Sequence, residues 1–211
     1  MIKKTLVSAA VAASLFALSA PASATLTNWY IDTDGAGGNA PVLVSDYLDL
    51  VGQAFVNNTF TSATTFTYNE VGRFNTASAD GFTALSPLLT SRFVGTGSGT
   101  TGGTLAFTPG GTLNVFSGAT DIADFILQTG SANLNANSTL PNGTVSLIFK
   151  ATAMQSGYFF DQFMNDLAPT ANSPTGIVLG FATTNAISLA TTDPATGFVN
   201  PLLITDYNTA F

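Results

Sequence analysis

Asp32 and Asp34 form the densest acidic motif of this 211-residue chain, and Gly35 follows them directly. Calcium-binding loops commonly begin with Asp-x-Asp, because calcium prefers several carboxylate and carbonyl oxygens that lie close together. An EF-hand loop also requires glutamate at its twelfth position, where this chain has Leu43, so that pattern does not fit. The sequence leaves open a looser calcium site at Asp32 and Asp34, or an Asp-rich turn without metal. Further ligands for the looser site would come from Asp161, Asn165 or Asp166.

The chain has few residues of the types that commonly act in catalysis. The chain contains no histidine and no cysteine, which removes the usual general base, thiolate chemistry and disulfides. Lys150 lies on the polar side of a strand-like segment, where a solvated lysine is expected instead of a Ser-Lys dyad. We therefore expect no enzyme activity, no catalytic residue and no bound cofactor, with calcium alone left open. A glycosidase built from two carboxylates is the remaining catalytic alternative. Its candidate residues are Glu70, Asp46, Asp49, Asp121 and Asp124.

The N-terminal residues have the organisation of a secretory signal peptide. Lys3 and Lys4 precede an apolar run over residues 6–18, and Ala-Ser-Ala ends at Ala24. The run is too short to cross about 30 Å of hydrocarbon, which argues against a membrane anchor. We predict a signal peptide over residues 1–24 and a secreted domain over residues 25–211, with no integral membrane span in the mature chain.

The charge balance excludes one class of partner. The chain has 5 Lys and Arg against 12 Asp and Glu, a formal net charge of -7, and loss of residues 1–24 would remove two lysines and no acid. Nucleic-acid binding requires a Lys/Arg footprint for the phosphates, so we expect no nucleic-acid partner. Glu70 is the sole glutamate, and aspartate favours turns, so the acidic residues favour a loop-rich β protein.

Apolar and polar residues alternate with a period of two in several segments, which predicts strands. In residues 144–152 the four residues Val145, Leu147, Phe149 and Ala151 face one way, and Ile148 faces the other. Short strands separated by frequent turn residues predict an all-β fold: a single β-sandwich or jelly-roll-like domain of antiparallel strands with long Gly/Asn/Thr-rich loops. Further strands are expected over residues 26–31, 42–50, 54–60, 64–71, 82–85, 91–94, 177–183, 186–190 and 202–207.

Three other local features complete the predicted architecture. Residues 104–108 and 112–116 flank Pro109-Gly110-Gly111, a pattern typical of a β-hairpin. Residues 95–103 are rich in glycine and are expected to form a long flexible loop. Residues 158–167 repeat apolar side chains at about helical spacing and predict one or two helical turns.

Several segments together resemble a known family. They are the N-terminal Lys-Lys leader, residues 29–32 (WYID), 46–49 (DYLD), 58–66 (NTFTSATTF), 142–149 (NGTVSLIF) and 157–161 (GYFFD). In these segments the chain resembles the flocculation-associated PEP-CTERM proteins of Gram-negative bacteria that produce exopolysaccharide. The resemblance spans most of the mature chain and implies an exported protein of the extracellular matrix at the cell surface. Such proteins end in a Pro-Glu-Pro motif, an apolar helix and a basic tail, which are absent up to Phe211.

The leading hypothesis is a secreted, non-enzymatic matrix protein that promotes flocculation or biofilm formation. It would bind exopolysaccharide or copies of itself. The alternative is a filament subunit that assembles by donating a strand to the next copy, with residues 26–31 or 202–204 as the donated strand. Exposed aromatic rings are candidates for stacking on sugars, against the simpler expectation that they belong to the core or its rim. They are Trp29, Tyr30 and Tyr47.

Overall fold

The computed structural model describes residues 28–35, 38–135, 142–174, 176–182, 186–187 and 201–211. The signal peptide predicted over residues 1–24 lies outside this described part. Within it the chain forms two antiparallel β-sheets packed together. The all-β sandwich predicted from the sequence is therefore confirmed, and several strands are much longer than the sequence suggested.

The elements follow one another in a simple order along the chain. The strands are β1 (Trp29–Ile31), β2 (Val42–Val44), β3 (Leu48–Phe60), β4 (Thr65–Ala79), β5 (Thr83–Thr100), β6 (Thr104–Phe107), β7 (Thr112–Ser117), β8 (Thr120–Asn135), β9 (Asn142–Met154), β10 (Phe159–Phe160), β11 (Val178–Ala182) and β12 (Ala186–Ile187). The helices are α1 (Ala168–Ala171) and α2 (Pro201–Ala210).

The large sheet is a meander of nine strands. From one edge, β3, β4 and β5 are neighbours, β6 and β7 share the next position, and β8 and β9 follow. The far side of β9 pairs with β11 and β12. Sequence neighbours pair in this way because antiparallel strands need only a short turn between them. In the small sheet β1 is central, between β2 and β10.

The inner face of the large sheet carries the core, since side chains alternate between the two faces of a strand. Aromatic rings fill its centre. The ring of Phe93 lies 5.9 Å from that of Phe149 and 6.1 Å from that of Phe107, between centroids. Tyr68 meets Phe107 edge-on at 5.4 Å. Ile31 of the small sheet is fully buried in the same cluster, so the two sheets share one core.

Residues 95–100 form the end of β5, so the loop predicted over residues 95–103 is wrong there. Gly95 and Gly97 occupy alternate positions on the inner face, where aromatic rings take the space of their missing side chains. A Cβ added to Gly97 would lie 2.3 Å from Cζ of Tyr68, and one on Gly95 would lie 2.4 Å from Cζ of Phe93. The missing side chains of these glycines therefore leave space for the aromatic rings of the core. The glycines belong to a strand and do not form a flexible loop.

The hairpin predicted around residues 109–111 is also wrong. β6 and β7 each pair with β5 on one side and β8 on the other, as two halves of an interrupted strand. Backbone hydrogen bonds continue through the interruption: Thr108 N–H donates to Thr96 O (2.8 Å), and Gly110 N–H donates to Leu127 O (2.9 Å). The glycine-containing break is therefore a bulge inside the sheet, because both neighbouring strands still bind it.

The helical turns predicted over residues 158–167 are absent from the structure, in which this segment contains β10 and a set of turns. Asp161 explains part of the difference. Its Oδ1 accepts N–H bonds from Phe163 (2.8 Å) and Asn165 (2.9 Å), which stabilise a turn in place of helical hydrogen bonds. The helix begins only at Ala168, one residue beyond the predicted segment.

Residues 202–207 belong to α2, so the strand predicted there is wrong. The helix begins at Pro201, a residue well suited to the first turn because it lacks an N–H that would need a partner. Leu203 is 2% exposed, whereas Leu202 and Ile204 are 53% and 37% exposed. The apolar run thus buries a single side chain, which is what a short surface helix requires.

The strand predicted over residues 42–50 is divided into β2 and β3 by a turn at residues 45–47. The Asp80 carboxylate accepts all three N–H groups of that turn, from Ser45 (2.7 Å), Asp46 (2.8 Å) and Tyr47 (3.0 Å). These backbone hydrogen bonds hold the pKa of Asp80 below its usual value. Asp80 therefore fixes the passage of the chain from the small sheet to the large one.

Candidate functional site

The outer face of the large sheet presents two rows of small, mostly polar side chains near one end, which we call the hydroxyl face. The register of six neighbouring strands aligns the first row: Thr59, Thr67, Ser98, Ala106, Ser131 and Ser146. The second row lies beside it: Thr65, Thr100, Thr104, Asn133 and Thr144. All of these side chains are exposed except that of Thr65, which is half-buried. No charged residue occurs in either row.

Sheet geometry sets the spacing of the hydroxyl face. Neighbouring strands lie about 4.8 Å apart, and residues two apart on one strand lie about 7 Å apart. The polar groups therefore form a lattice. It extends across the neighbouring strands and contains two rows along the strand direction. A shallow open depression of about 350 Å³ lies on this face, lined among others by Thr67, Ser98, Thr100 and Thr104. Each hydroxyl can donate one hydrogen bond and accept two.

Helix α2 borders the hydroxyl face, because it packs over the outer side of β3 and β4. Tyr207 accepts a hydrogen bond from the Asn57 side chain (2.8 Å), and its ring meets that of Phe55 edge-on at 5.2 Å. Asp206 accepts two hydrogen bonds from Arg73, one of them from Nη2 at 2.7 Å. α2 therefore covers the part of the outer face next to the polar rows and leaves the rows themselves open.

The outer face also places two arginines side by side. Arg73 of β4 and Arg92 of β5 are cross-strand partners, an arrangement in which like charges repel. Asp206 relieves the repulsion by bonding Arg73, and the guanidinium carbon of Arg92 lies 5.1 Å from the ring centroid of Phe116. Hydrogen bonding by Arg73, together with the positive charges of Arg73 and Arg92, lowers the pKa of Asp206.

Of the candidate catalytic carboxyls, Asp121 and Asp124 lie near each other on the outer side of β8. Partial burial and the nearby Asp124 carboxylate raise the pKa of Asp121. Glycosidase carboxyls are separated by about 5 Å or more to accommodate the sugar between them. Asp124 also accepts a hydrogen bond from Asn114.

Glu70 lies apart from that pair, on the inner face of β4, with Val56 and Gly95 as cross-strand neighbours. Burial raises its pKa to about 7, because the charged carboxylate loses hydration beside apolar groups. Burial and the Glu70 charge together raise the pKa of Tyr68 well above its usual value. Register places Glu70 and Asp124 on opposite faces of the sheet, so the two cannot form a catalytic pair.

The other two carboxyl candidates lie in or beside turns at the far end of β4. Asp49 accepts hydrogen bonds from the Ser78 hydroxyl (2.6 Å) and Gly81 N–H (2.8 Å). Asp46 is exposed in the turn held by Asp80. Asp49 thus ties β3 to the turn between β4 and β5, and neither residue is placed beside Glu70 by the strand register.

Asp32 and Asp34, the predicted calcium ligands, shape the loop after β1. Asp32 Oδ1 accepts the N–H groups of Asp34 and Gly35, each at 3.1 Å, as in an aspartate-stabilised turn. Asp34 Oδ2 accepts the Asn39 amide at 2.8 Å, and its Oδ1 is buried without a hydrogen-bond partner in the described part of the chain. No group of three or more acidic residues that could hold a metal ion occurs among the described residues. The calcium site stays a prediction.

The more distant proposed ligands serve the turns around β10. Asp161 binds Asn165 through both backbone and side-chain N–H groups, and Asp166 accepts the N–H groups of Gly157 and Ala168, each at 2.8 Å. These hydrogen bonds hold a compact loop next to the small sheet.

The aromatic candidates lie at the other end of the molecule from the hydroxyl face. Trp29 and Tyr30 are half-buried in β1, and the Trp29 ring packs against that of Phe159 at 6.2 Å. Tyr47 is 53% exposed beside the Asp80 turn. None of the three belongs to the strands that carry the polar rows.

Neither proposed donor strand is free in the structure. β1, which contains Trp29–Ile31, is paired on both edges, with β2 and with β10. Residues 202–204 are helical and pack on the sheet within α2. Residues 26 and 27 lie outside the described part.

Comparison with models of known protein families, with curated proteins and with solved structures finds no match for this chain. The resemblance to flocculation-associated proteins stays a prediction from the quoted segments. In the part of the chain that the structure describes, no helix combines the length and apolar character needed to cross a membrane.

Proposed function

We propose that the protein is a secreted, non-enzymatic component of the extracellular matrix of a Gram-negative bacterium, which promotes cell aggregation by binding exopolysaccharide through the hydroxyl face. The observation that carries the proposal is the pair of uncharged, largely exposed rows, of which the first crosses six strands and the second five. Sugar hydroxyls both donate and accept hydrogen bonds, and serine, threonine and asparagine offer both functions in return. The predicted signal peptide and family resemblance point to the same location.

The extent of the rows favours a polymer over a small sugar. An open surface excludes little water, so each hydrogen bond adds only a small net free energy. A polysaccharide that contacts several positions at once sums these contributions, because every further contact is made at high effective concentration. In this proposal one sugar residue of such a polymer binds in the open depression lined by Thr67, Ser98, Thr100 and Thr104.

Removal of hydroxyls from the rows tests the proposal. In the variant Thr59→Val/Thr67→Val the side-chain shape is kept and the strands stay favourable for β structure, while two donors are lost. We expect retention on immobilised exopolysaccharide to fall several-fold, with unchanged circular dichroism. The matched control Thr83→Val/Thr170→Val removes two exposed hydroxyls outside the rows and should bind as the parent does.

Two outcomes would contradict this function. If both variants are retained on the polysaccharide as strongly as the parent, the hydroxyl face is not the binding surface. Release of reducing sugar from the polysaccharide, abolished by Glu70→Gln, would favour the glycosidase alternative.

A further inference from the structure

We propose that the outer edge of β3 pairs antiparallel with β3 of a second copy, which joins two large sheets into one continuous sheet. β3 is the terminal strand of the large sheet, and among the described residues β4 is its one sheet partner. Its other edge therefore carries backbone N–H and C=O groups that no described strand of the same chain pairs with. Such an edge is a template for pairing with another chain.

The edge lacks the features that usually prevent this pairing. From Leu50 to Phe60 the strand contains no charged residue and no proline, and its register with β4 is unbroken. Natural edge strands are commonly short, bulged or marked by a lysine or proline. The one irregularity of β3 lies before this segment, between Asp49 and Leu50. Eleven consecutive residues thus offer a regular, uncharged edge.

Apolar side chains add to the exposed surface of the strand. Val51, Val56 and Phe60 are 67%, 42% and 61% exposed. Val56 and Phe60 lie on the inner face and Val51 on the outer face, as their cross-strand partners in β4 show. A second strand along the edge would shield side chains on both faces, which favours association through the hydrophobic effect.

A second copy is the partner that this edge fits. The chain carries a net charge of -7, so two copies repel unless they meet at an uncharged surface, and residues 50–60 provide one. Antiparallel pairing of a strand with itself obeys two-fold symmetry, in which one patch complements the same patch. An axis at Phe55 overlaps all eleven residues and sets Leu50 of one copy beside Phe60 of the other. α2 contacts β3 through the Phe55 and Asn57 side chains on its outer face.

This association goes beyond polysaccharide binding, because it uses the strand edge and leaves the hydroxyl face of each copy available. A dimer would present two such faces on one continuous sheet. Two faces on one particle can bind two polymer chains, and so cross-link a matrix that a monomer would only coat.

Sedimentation of the purified chain without polysaccharide tests the pairing independently of the proposed function. We expect a monomer–dimer equilibrium that depends on protein concentration. Val51→Lys places a charge on the exposed edge and should weaken dimerisation at least tenfold. The matched control Val178→Lys changes a valine that is 55% exposed on β11, at the other edge of the sheet, and should dimerise as the parent does.

Hydrogen exchange on the unmodified chain gives a second measurement that does not depend on how the variants fold. Amides of β3 should gain protection as the concentration rises through the dimerisation range, while those of β11 should not. A monomer at all concentrations would overturn the proposal, as would a dimer lost in Val178→Lys and kept in Val51→Lys. Open filaments would also overturn it, because a two-fold pair closes at two copies.

Discussion

Gly97 is the residue whose replacement the fold tolerates least among the alternate glycines of β5. An added Cβ would lie 2.3 Å from both the Tyr68 ring and the backbone oxygen of Ala106, and a backbone oxygen cannot move aside cheaply. We expect Gly97→Ala to lower the free energy of unfolding by about 1–3 kcal/mol through overpacking, measured by chemical denaturation.

Gly180 of β11 provides the control for that substitution. The nearest atom to its added Cβ is Ile148 Cδ1 at 3.9 Å, an ordinary contact. Gly180→Ala should leave the unfolding free energy nearly unchanged. If both substitutions destabilise equally, loss of glycine itself, and not the space taken by Tyr68, is the cause.

Glu70 should make the stability of the protein depend on pH. Its pKa is about 7 in the folded chain against 4.5 for an ordinary glutamate, so the folded state holds a proton that the unfolded state has released. Stability then falls as pH rises from about 4.5 to 7 and levels off above that range. We expect the loss to be about 3 kcal/mol, measured by denaturation at a series of pH values.

Glu70→Gln should remove this part of the pH dependence and stabilise the protein at pH 8. Asp46→Asn is the control, because it deletes one exposed carboxylate from a turn outside the core. A parent protein whose stability is flat between pH 5 and pH 8 would contradict the burial assigned to Glu70.

The sequence predicts the burial of some residues correctly and misses the role of others. The alternation in residues 144–152 gave the correct inner residues, since Leu147, Phe149 and Ala151 are buried and Ile148 is 39% exposed. The role of Gly95 and Gly97 was missed, although their spacing of two was visible. Glycine disfavours strands unless a neighbour fills its space, and that neighbour, Tyr68, lies 29 residues away from Gly97 in the chain.

At the scale of the elements, α2 depends on the ion pair between Asp206 and Arg73. Asp206→Asn would leave the cross-strand arginines Arg73 and Arg92 opposed without the carboxylate that bonds one of them. We expect docking of α2 to weaken by about 1 kcal/mol, because the pair is bidentate but partly solvated. Faster hydrogen exchange over residues 201–210 is the measurement that checks this.

Asn208→Ala is the matched control, since Asn208 is an exposed residue of the same helix. Its exchange rates should follow those of the parent. Equal exchange in Asp206→Asn and the parent would show that burial of Leu203 and the contacts of Tyr207 hold α2 without the ion pair.

Elements were predicted well where the period of two was clear and poorly where a partner decided the outcome. β4 and β9 were found because alternation is a local property of the sequence. α2 was mistaken for a strand because Leu202, Leu203 and Ile204 are consecutive apolar residues, although Pro201 is a common first residue of helices. The bulge between β6 and β7 resembled a hairpin, because the bonds that keep both halves in one position come from β5 and β8.

For the molecule as a whole, chelation should loosen any assembly if calcium occupies the loop of Asp32 and Asp34. The Asp-rich loops of an acidic chain repel one another without a cation. We expect sedimentation with a chelator to show less assembly than with calcium, and Asp34→Asn to reduce that difference. If the chelator does not change the amount of assembly, calcium does not stabilise it.

The hydroxyl face is a property of the whole sheet and not of any one strand. The sequence alone did not show it for this reason. Threonine and serine at alternate positions indicated a polar side for each strand separately. The rows exist because the registers of β3 through β9 align Thr59 with Thr67, Ser98 and Ser131 across the sheet. Register depends on turns and on the packing of the opposite face, which no single segment determines.

The meander order also has a consequence for the path by which the chain folds. Each strand from β4 to β9 pairs with a strand no more than two places earlier in the chain, so the sheet can lengthen strand by strand with little loss of chain entropy. α2 is one exception, since Arg73 and Asp206 are 133 residues apart, and the pairing of β1 with β10 is another. Its docking closes a long loop and is favourable only after β3 and β4 are in place. We therefore expect the helix to be among the last elements to settle, and a chain halted before that step to expose the outer side of its first long hairpin.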